Sequence, residues 1–246
     1  MKTLLSGHSN FPLPAFALFA VALLQGCGAA SRDSSSSFNS TPSATTNTQP
    51  ASVASPSETL PKIIAFGDSL TAGYGLEPKE SYPALLQKML DADGFKYEVV
   101  NAGVSGDTSA GGVRRIDWSL DSGGVRFVIL ELGANDFLRG QPIAETKKNL
   151  ARIMERAKSR GARVLLAGMY TTTEAGRDYE AQIRDAFQTL AAEHDAVLIP
   201  FFLEGVAGQD ALNQQDRIHP NAEGAKIVAA NVYRYLKPML EQDRKK

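Results

Sequence analysis

Between residues 62 and 240 the chain switches repeatedly between two hydrophobic patterns. Short continuous apolar runs alternate with apolar residues at helical spacing. Lys62-Ile-Ile-Ala-Phe-Gly67 is an apolar run ending in glycine, the pattern of a strand buried on both faces. Leu85, Leu86, Met89 and Leu90 follow at helical spacing and Gly94 stops them, which predicts a helix over 82–93. Segments 97–100, 126–132, 163–168 and 196–201 read as further strands. Segments 109–120, 142–160, 179–193 and 221–240 read as further helices; Pro142 suits a first helical turn, and Gly111-Gly112 weakens the helix that holds it. Parallel strands joined by helical crossovers close in one hand only. The expected fold is α/β: a three-layer α/β/α, flavodoxin-like doubly wound parallel sheet of about five strands. Such sheets bind ligands beyond the carboxyl ends of their strands, so the residues just after each strand carry the functional question.

Four short segments stand there. Gly67-Asp68-Ser69-Leu70 follows the first strand and can present the Ser69 hydroxyl to a cleft. It lacks the second glycine of the α/β-hydrolase nucleophile elbow. Asn101-Ala-Gly-Val-Ser-Gly106-Asp107-Thr108 follows the second strand and Gly133-Ala134-Asn135-Asp136 the third. Asp216-Arg217-Ile218-His219-Pro220 precedes the last helix. A serine hydroxyl is a weak nucleophile until a base takes its proton, and that base must be oriented. The chain has three histidines, and His8 lies in a targeting segment, which leaves His194 and His219. His219 sits three residues from Asp216, within reach of a carboxylate that could hold its imidazole.

Together these segments resemble the four blocks of the GDSL, or SGNH, hydrolase family, in order, over residues 62 to about 240. Phe66-Gly-Asp-Ser-Leu70, Asn101 to Gly106, Gly133-Ala-Asn-Asp136 and Asp216-x-x-His219 carry the likeness. Ser105-Gly-Asp-Thr-Ser109, Leu132 to Gly140 and Pro200-Phe-Phe-Leu-Glu-Gly205 are similar to the branch of secreted arylesterases and thioesterase I/lysophospholipase L1. The resemblance implies a serine esterase acting on aryl, lysophospholipid or thio esters, with no cofactor and no metal. It implies Ser69 as nucleophile, His219 as base and Asp216 as its orienting acid. It assigns the oxyanion hole to the backbone N–H of Ser69, the backbone N–H of Gly106 and the side-chain amide of Asn135. An O-acetyl esterase of cell-wall or other polysaccharide is the nearer rival within the family. Arg217 departs from the branch, which more often has glycine there; its side chain either lines the cleft or points away.

Other readings of these residues are plainer. Asp68, Asp107 and Asp136 suit turn and cap carboxylates. His194, in Glu193-His194-Asp195, suits a helix end. Arg114-Arg115 suits a solvated helix face rather than an anion site, and Trp118 the core or the domain rim. A flavin or nucleotide binder would cradle phosphate after the first strand but would not need Asp216 beside His219. A catalytically dead scaffold would not need the full set of five residues. Lys plus Arg is 26 against 27 for Asp plus Glu, which leaves no basic footprint for nucleic acid. A single cysteine excludes a disulfide framework and a multi-cysteine metal centre. Oligomeric state has no signature in the sequence.

The amino terminus carries a different message. Lys2 precedes Ala-Phe-Ala-Leu-Phe-Ala-Val-Ala-Leu-Leu over 15–24, too short for a span of about 20 residues but suited to a signal peptide. Leu24-Gln25-Gly26-Cys27 resembles the lipobox of bacterial lipoproteins; ordinary cleavage after Ala30 is the alternative. The expected organisation is a signal peptide over 1–26, an acylated Cys27 with a disordered tether over 27–59, and the hydrolase domain over 60–246. Residues 31–59 hold ten serines, five threonines and three prolines and cannot bury enough apolar surface to order themselves. Gly28, in place of the aspartate that signals inner-membrane retention, points to an outer-membrane anchor facing the periplasm. The expected partners are a small-molecule or lipid ester and the membrane.

Overall fold

Five parallel strands in the order β2-β1-β3-β4-β5 form the middle layer. The structure is a computed structural model that describes residues 59–170 and 176–245. The signal peptide, Cys27 and the tether up to residue 58 lie outside the described residues, as does 171–175. The strands are β1 (Lys62–Gly67), β2 (Glu98–Gly103), β3 (Val125–Glu131), β4 (Arg163–Ala167) and β5 (Val197–Ile199). The helices are α1 (Ser69–Ala72), α2 (Tyr82–Ala92), α3 (Ser109–Leu120), α4 (Ala134–Leu138), α5 (Ile143–Ser159), α6 (Arg177–Glu193) and α7 (Ala222–Asp243).

The interior strands explain the unbroken apolar runs. Ile63, Ile64, Ala65 and Phe66 of β1 and Phe127 to Leu130 of β3 are buried because helices cover both faces. Helix α2 packs with α7, and α3 packs with α5, which packs in turn with α6. This is the expected three-layer arrangement, in the flavodoxin-like order. Its switch point falls at β1, whose two neighbours β2 and β3 are reached in opposite directions. Ser69, Gly106 and Asn135 follow the three strands that meet there.

Several expectations need correction. Strand β2 runs on to Gly103, because Asn101, Ala102 and Gly103 pair with Ala65, Phe66 and Gly67. Strand β5 keeps only three residues, the ones that pair with β4. Helices α1 and α4 are single turns, too short to leave a hydrophobic period. Gly111 and Gly112 do not break α3; both face inward and are buried. Trp118, expected in the core or at the rim, is 80% exposed, because α3 buries Ile116, Ser119 and Leu120 and turns Trp118 outward. His194 does cap α6, donating its backbone N–H to Leu190. It therefore sits just before β5, at the end of the sheet away from Ser69. Among the described residues no helix is long and apolar enough to cross a membrane.

Candidate active site

The β1–α1 junction sets the position of Ser69. Asp68 caps α1 by accepting the Leu70 N–H at 3.0 Å, and the chain turns at once from strand to helix. Ser69 is thus the first helical residue and faces the cleft. From 150 residues away, His219 Nε2 approaches Ser69 Oγ to 2.8 Å. Asp216 Oδ2 lies 2.7 Å from His219 Nδ1. The other Asp216 oxygen accepts the backbone N–H groups of Ile218 and His219, each at 3.0 Å. Those backbone donors, that of His219 foremost, hold the Asp216 carboxyl down to about 2. A permanently charged acceptor on Nδ1 fixes the tautomer that leaves Nε2 free to take a proton.

Gln214 fastens this turn to the segment that follows Ser69. Its side-chain amide donates to the Tyr74 carbonyl at 2.7 Å and to the Pro220 carbonyl at 3.0 Å. Its backbone N–H donates to the His219 carbonyl at 2.7 Å. The Tyr74 ring leans on the imidazole, with ring centroids 4.7 Å apart. Arg217 has φ +60°, a left-handed conformation that favours glycine. Its guanidinium reaches out to Asp210 at 3.1 Å, away from the cleft.

Gly106 and Asn135 border the same cleft as Ser69 and His219. Gly106 has φ +78°, and its carbonyl accepts from Arg139 at 2.8 Å. Asn135 donates one amide hydrogen to Asp68 Oδ2 at 2.9 Å, which leaves its second hydrogen for a ligand. Among the described residues neither the Ser69 nor the Gly106 backbone N–H donates to a protein acceptor. Ser69, Gly106 and Asn135 thus line one cleft, each with an N–H that has no protein acceptor among the described residues.

The carboxylates around the site divide by task. Asp68 caps α1 and also aims Asn135, a role its sequence neighbours did not reveal. Asp136 accepts from the Ser109 N–H at 2.8 Å and the Ser109 hydroxyl at 2.5 Å, tying α4 to the start of α3. Asp107 pairs with Arg115 at 2.7 Å. Arg115 is therefore no solvated residue: it also donates to the carbonyls of Ala102 and Gly67 at 2.7 and 2.8 Å and covers the Phe66 ring. One guanidinium thus braces the ends of β1 and β2 and the loop that carries Gly106.

Comparison with known proteins gives the family. The profile of the GDSL-like lipase/acylhydrolase family matches residues 65–227. The chain belongs to the GDSL-like lipase/acylhydrolase family. It is similar to "Esterase TesA" of Pseudomonas aeruginosa, 40% identical over 72% of this chain and 89% of that one. It is 35% identical to "Thioesterase 1/protease 1/lysophospholipase L1" of Escherichia coli over 74% of this chain and 86% of that one. Among solved structures, psychrotrophic esterase EstA from Pseudoalteromonas sp., inhibited by monoethylphosphonate, superposes with a TM-score of 0.70. That match covers 73% of this chain and 98% of EstA at 33% identity. Family and fold together make this GDSL-like chain a carboxylic-ester hydrolase.

Proposed function

We propose that the chain hydrolyses esters of apolar acyl or aryl groups through an acyl-enzyme on Ser69. The observation that carries this reading is the unbroken series Asp216–His219–Ser69, with contacts of 2.7 and 2.8 Å. His219 takes the Ser69 proton as Oγ adds to the carbonyl carbon, then returns it to the leaving oxygen or sulfur. Asp216 stabilises the imidazolium formed between those steps. The backbone N–H groups of Ser69 and Gly106 and the amide of Asn135 receive the oxyanion, each donor contributing about 2.7–4 kcal/mol to the transition state. Water, activated by His219, then releases the acid.

The cleft favours an apolar ligand. It has a volume of about 300 Å³ and is walled by Leu70, Tyr74, Ala134, Leu138 and Ile218. Tyr74, Leu138 and Ile218 are 54, 69 and 51% exposed and form an apolar rim around the cleft. A polysaccharide O-acetyl ester would bring hydroxyl groups against those side chains and leave them unpaired. The test is a panel of short and long acyl esters, an aryl ester, a lysophospholipid, an acyl thioester and an acetylated sugar, with Ser69→Ala as the blank. Turnover of apolar-acyl or aryl esters that vanishes in Ser69→Ala supports the reading. Turnover of the acetylated sugar alone, or activity retained in Ser69→Ala, overturns it.

The amino terminus supports a place for this activity. The apolar run before Leu24-Gln25-Gly26-Cys27 favours lipidation of Cys27 and an outer-membrane anchor facing the periplasm. Cys27→Ser should then release the protein from membranes or block its processing. A native soluble form beginning at Ser31 contradicts this.

A further inference from the structure

The nucleophile turn rests on a buried acid that the reaction scheme does not use. Glu131, the last residue of β3, is fully buried. Its Oε2 accepts the Asp68 backbone N–H at 3.2 Å and the Thr71 hydroxyl at 2.6 Å. These two donors stand one residue before and two residues after Ser69. We infer that Glu131 is a positioning residue for the reaction, a carboxyl that with Thr71 fixes the backbone turn presenting the Ser69 hydroxyl to His219. The inference rests on the reading of Ser69 as nucleophile.

The fit around this carboxyl is close. A Cβ on Gly67 would run into the Thr71 hydroxyl, the Glu131 carboxyl and the Glu131 carbonyl, so β1 passes directly over the side chain. Thr71 is itself fully buried. The turn cannot sink or tilt without breaking one of the two hydrogen bonds. A misplacement of about 1 Å in a reacting group costs on the order of a hundredfold in rate.

Geometry also sets the charge state of Glu131. Its second oxygen, Oε1, has no hydrogen-bond partner among the described residues. An ionised carboxylate with one bare oxygen in the core carries a large desolvation cost. Its titratable neighbours offer no relief. Asp68 on the β1–α1 turn is another buried carboxyl, and Tyr82 on α2 is a buried phenol. The nearby cation, Arg115 on α3, spends its donors on Gly67, Ala102 and Asp107. Burial first, and the Asp68 carboxyl second, push the Glu131 carboxyl well above its ordinary range. The burial and the bare Oε1 thus favour the neutral acid over the carboxylate at this position. An ordinary glutamate ionises near 4.5. The stabilisation from the buried neutral form is complete below that value and is lost as pH rises through the higher folded value.

Two side-chain pairs and one control test the inference. Glu131→Gln mimics the neutral acid and can accept both hydrogen bonds; Glu131→Leu fills the space and accepts neither. Thr71→Ser keeps the hydroxyl and Thr71→Val removes it, which serves if Glu131→Leu does not fold. Each variant is checked for fold by circular dichroism, then assayed for kcat and KM on a soluble aryl ester. Folded Glu131→Leu should lose about a hundredfold in kcat. Folded Thr71→Val should lose about tenfold, one ordinary hydrogen bond. KM should move little in either, and the Gln and Ser variants should recover most of the rate. The gap in Tm between Glu131→Gln and the parent should also widen in favour of Gln as pH rises from 4.5. Parental kcat in folded Glu131→Leu or Thr71→Val overturns the inference. So does a Gln variant as slow as the Leu variant, or a Tm gap that ignores pH. Activity retained in Ser69→Ala would instead overturn the nucleophile assignment, a separate failure.

Discussion

Asp68 and Asn135, 67 residues apart, are joined by a hydrogen bond of 2.9 Å from the amide nitrogen to the carboxyl oxygen. The residue before Ser69 thereby orients the side-chain amide of Asn135, which lies in α4 just after β3. Burial raises the Asp68 carboxyl, while the Leu70 N–H and the Asn135 amide oppose that rise by favouring the charged acceptor.

Asp68→Asn replaces one acceptor oxygen with an NH₂ group that must face either Leu70 or Asn135. The expected result is a fall in kcat of about a hundredfold on a soluble ester, the scale of one oxyanion donor lost. Because Asp68 acts through Asn135, the double variant with Asn135→Ala should be little slower than Asn135→Ala alone. Additive losses in steady-state kinetics contradict that coupling.

Asp216 should stay charged on the acid side of the activity profile. The Asp216 carboxyl is depressed to about 2, so its contribution is present throughout the neutral range and lost only as pH falls towards that value. Asp216→Asn should keep the fold and cut kcat by about 10³–10⁴-fold, because an amide cannot stabilise the imidazolium and can select the wrong tautomer. His194→Ala should leave the pH–rate profile unchanged. A profile that moves with His194 contradicts the assignment of the base.

The alternation of patterns made the sheet readable, because β1 and β3 are buried on both faces and admit little but apolar residues. The Asp216–His219 pair was readable because both lie in one turn, three residues apart. The rest of the site is held by contacts between distant segments. Glu131 meets Thr71 across 60 residues, Gln214 meets Tyr74 across 140, and Arg115 meets Gly67 across 48. No local spacing encodes such contacts. Arg115 and Trp118 were misread for the same reason: polarity and size alone do not tell which face of α3 turns inward.

Arg115 provides a test of that bracing. Arg115→Met keeps an apolar stem over Phe66 but removes the guanidinium from two carbonyls and Asp107, all partly buried. Unfolding in urea should show a loss of about 3 kcal/mol, because the abandoned carboxylate and carbonyls keep their desolvation cost. Unchanged stability would mean that other groups or water replace the guanidinium.

Covalent labelling should single out Ser69 as the activated serine. An activated serine bonds to phosphorus in a phosphonate ester and expels the ester's leaving group, which takes up the serine proton by way of the base; the phosphonylated serine mimics the tetrahedral intermediate and stays modified. Intact-mass measurement and peptide mapping after treatment with a phosphonate ester should find a single adduct, at Ser69, with activity lost in proportion to labelling. Ser69→Ala should take up none. An adduct at another serine, or full activity loss without modification of Ser69, contradicts the account.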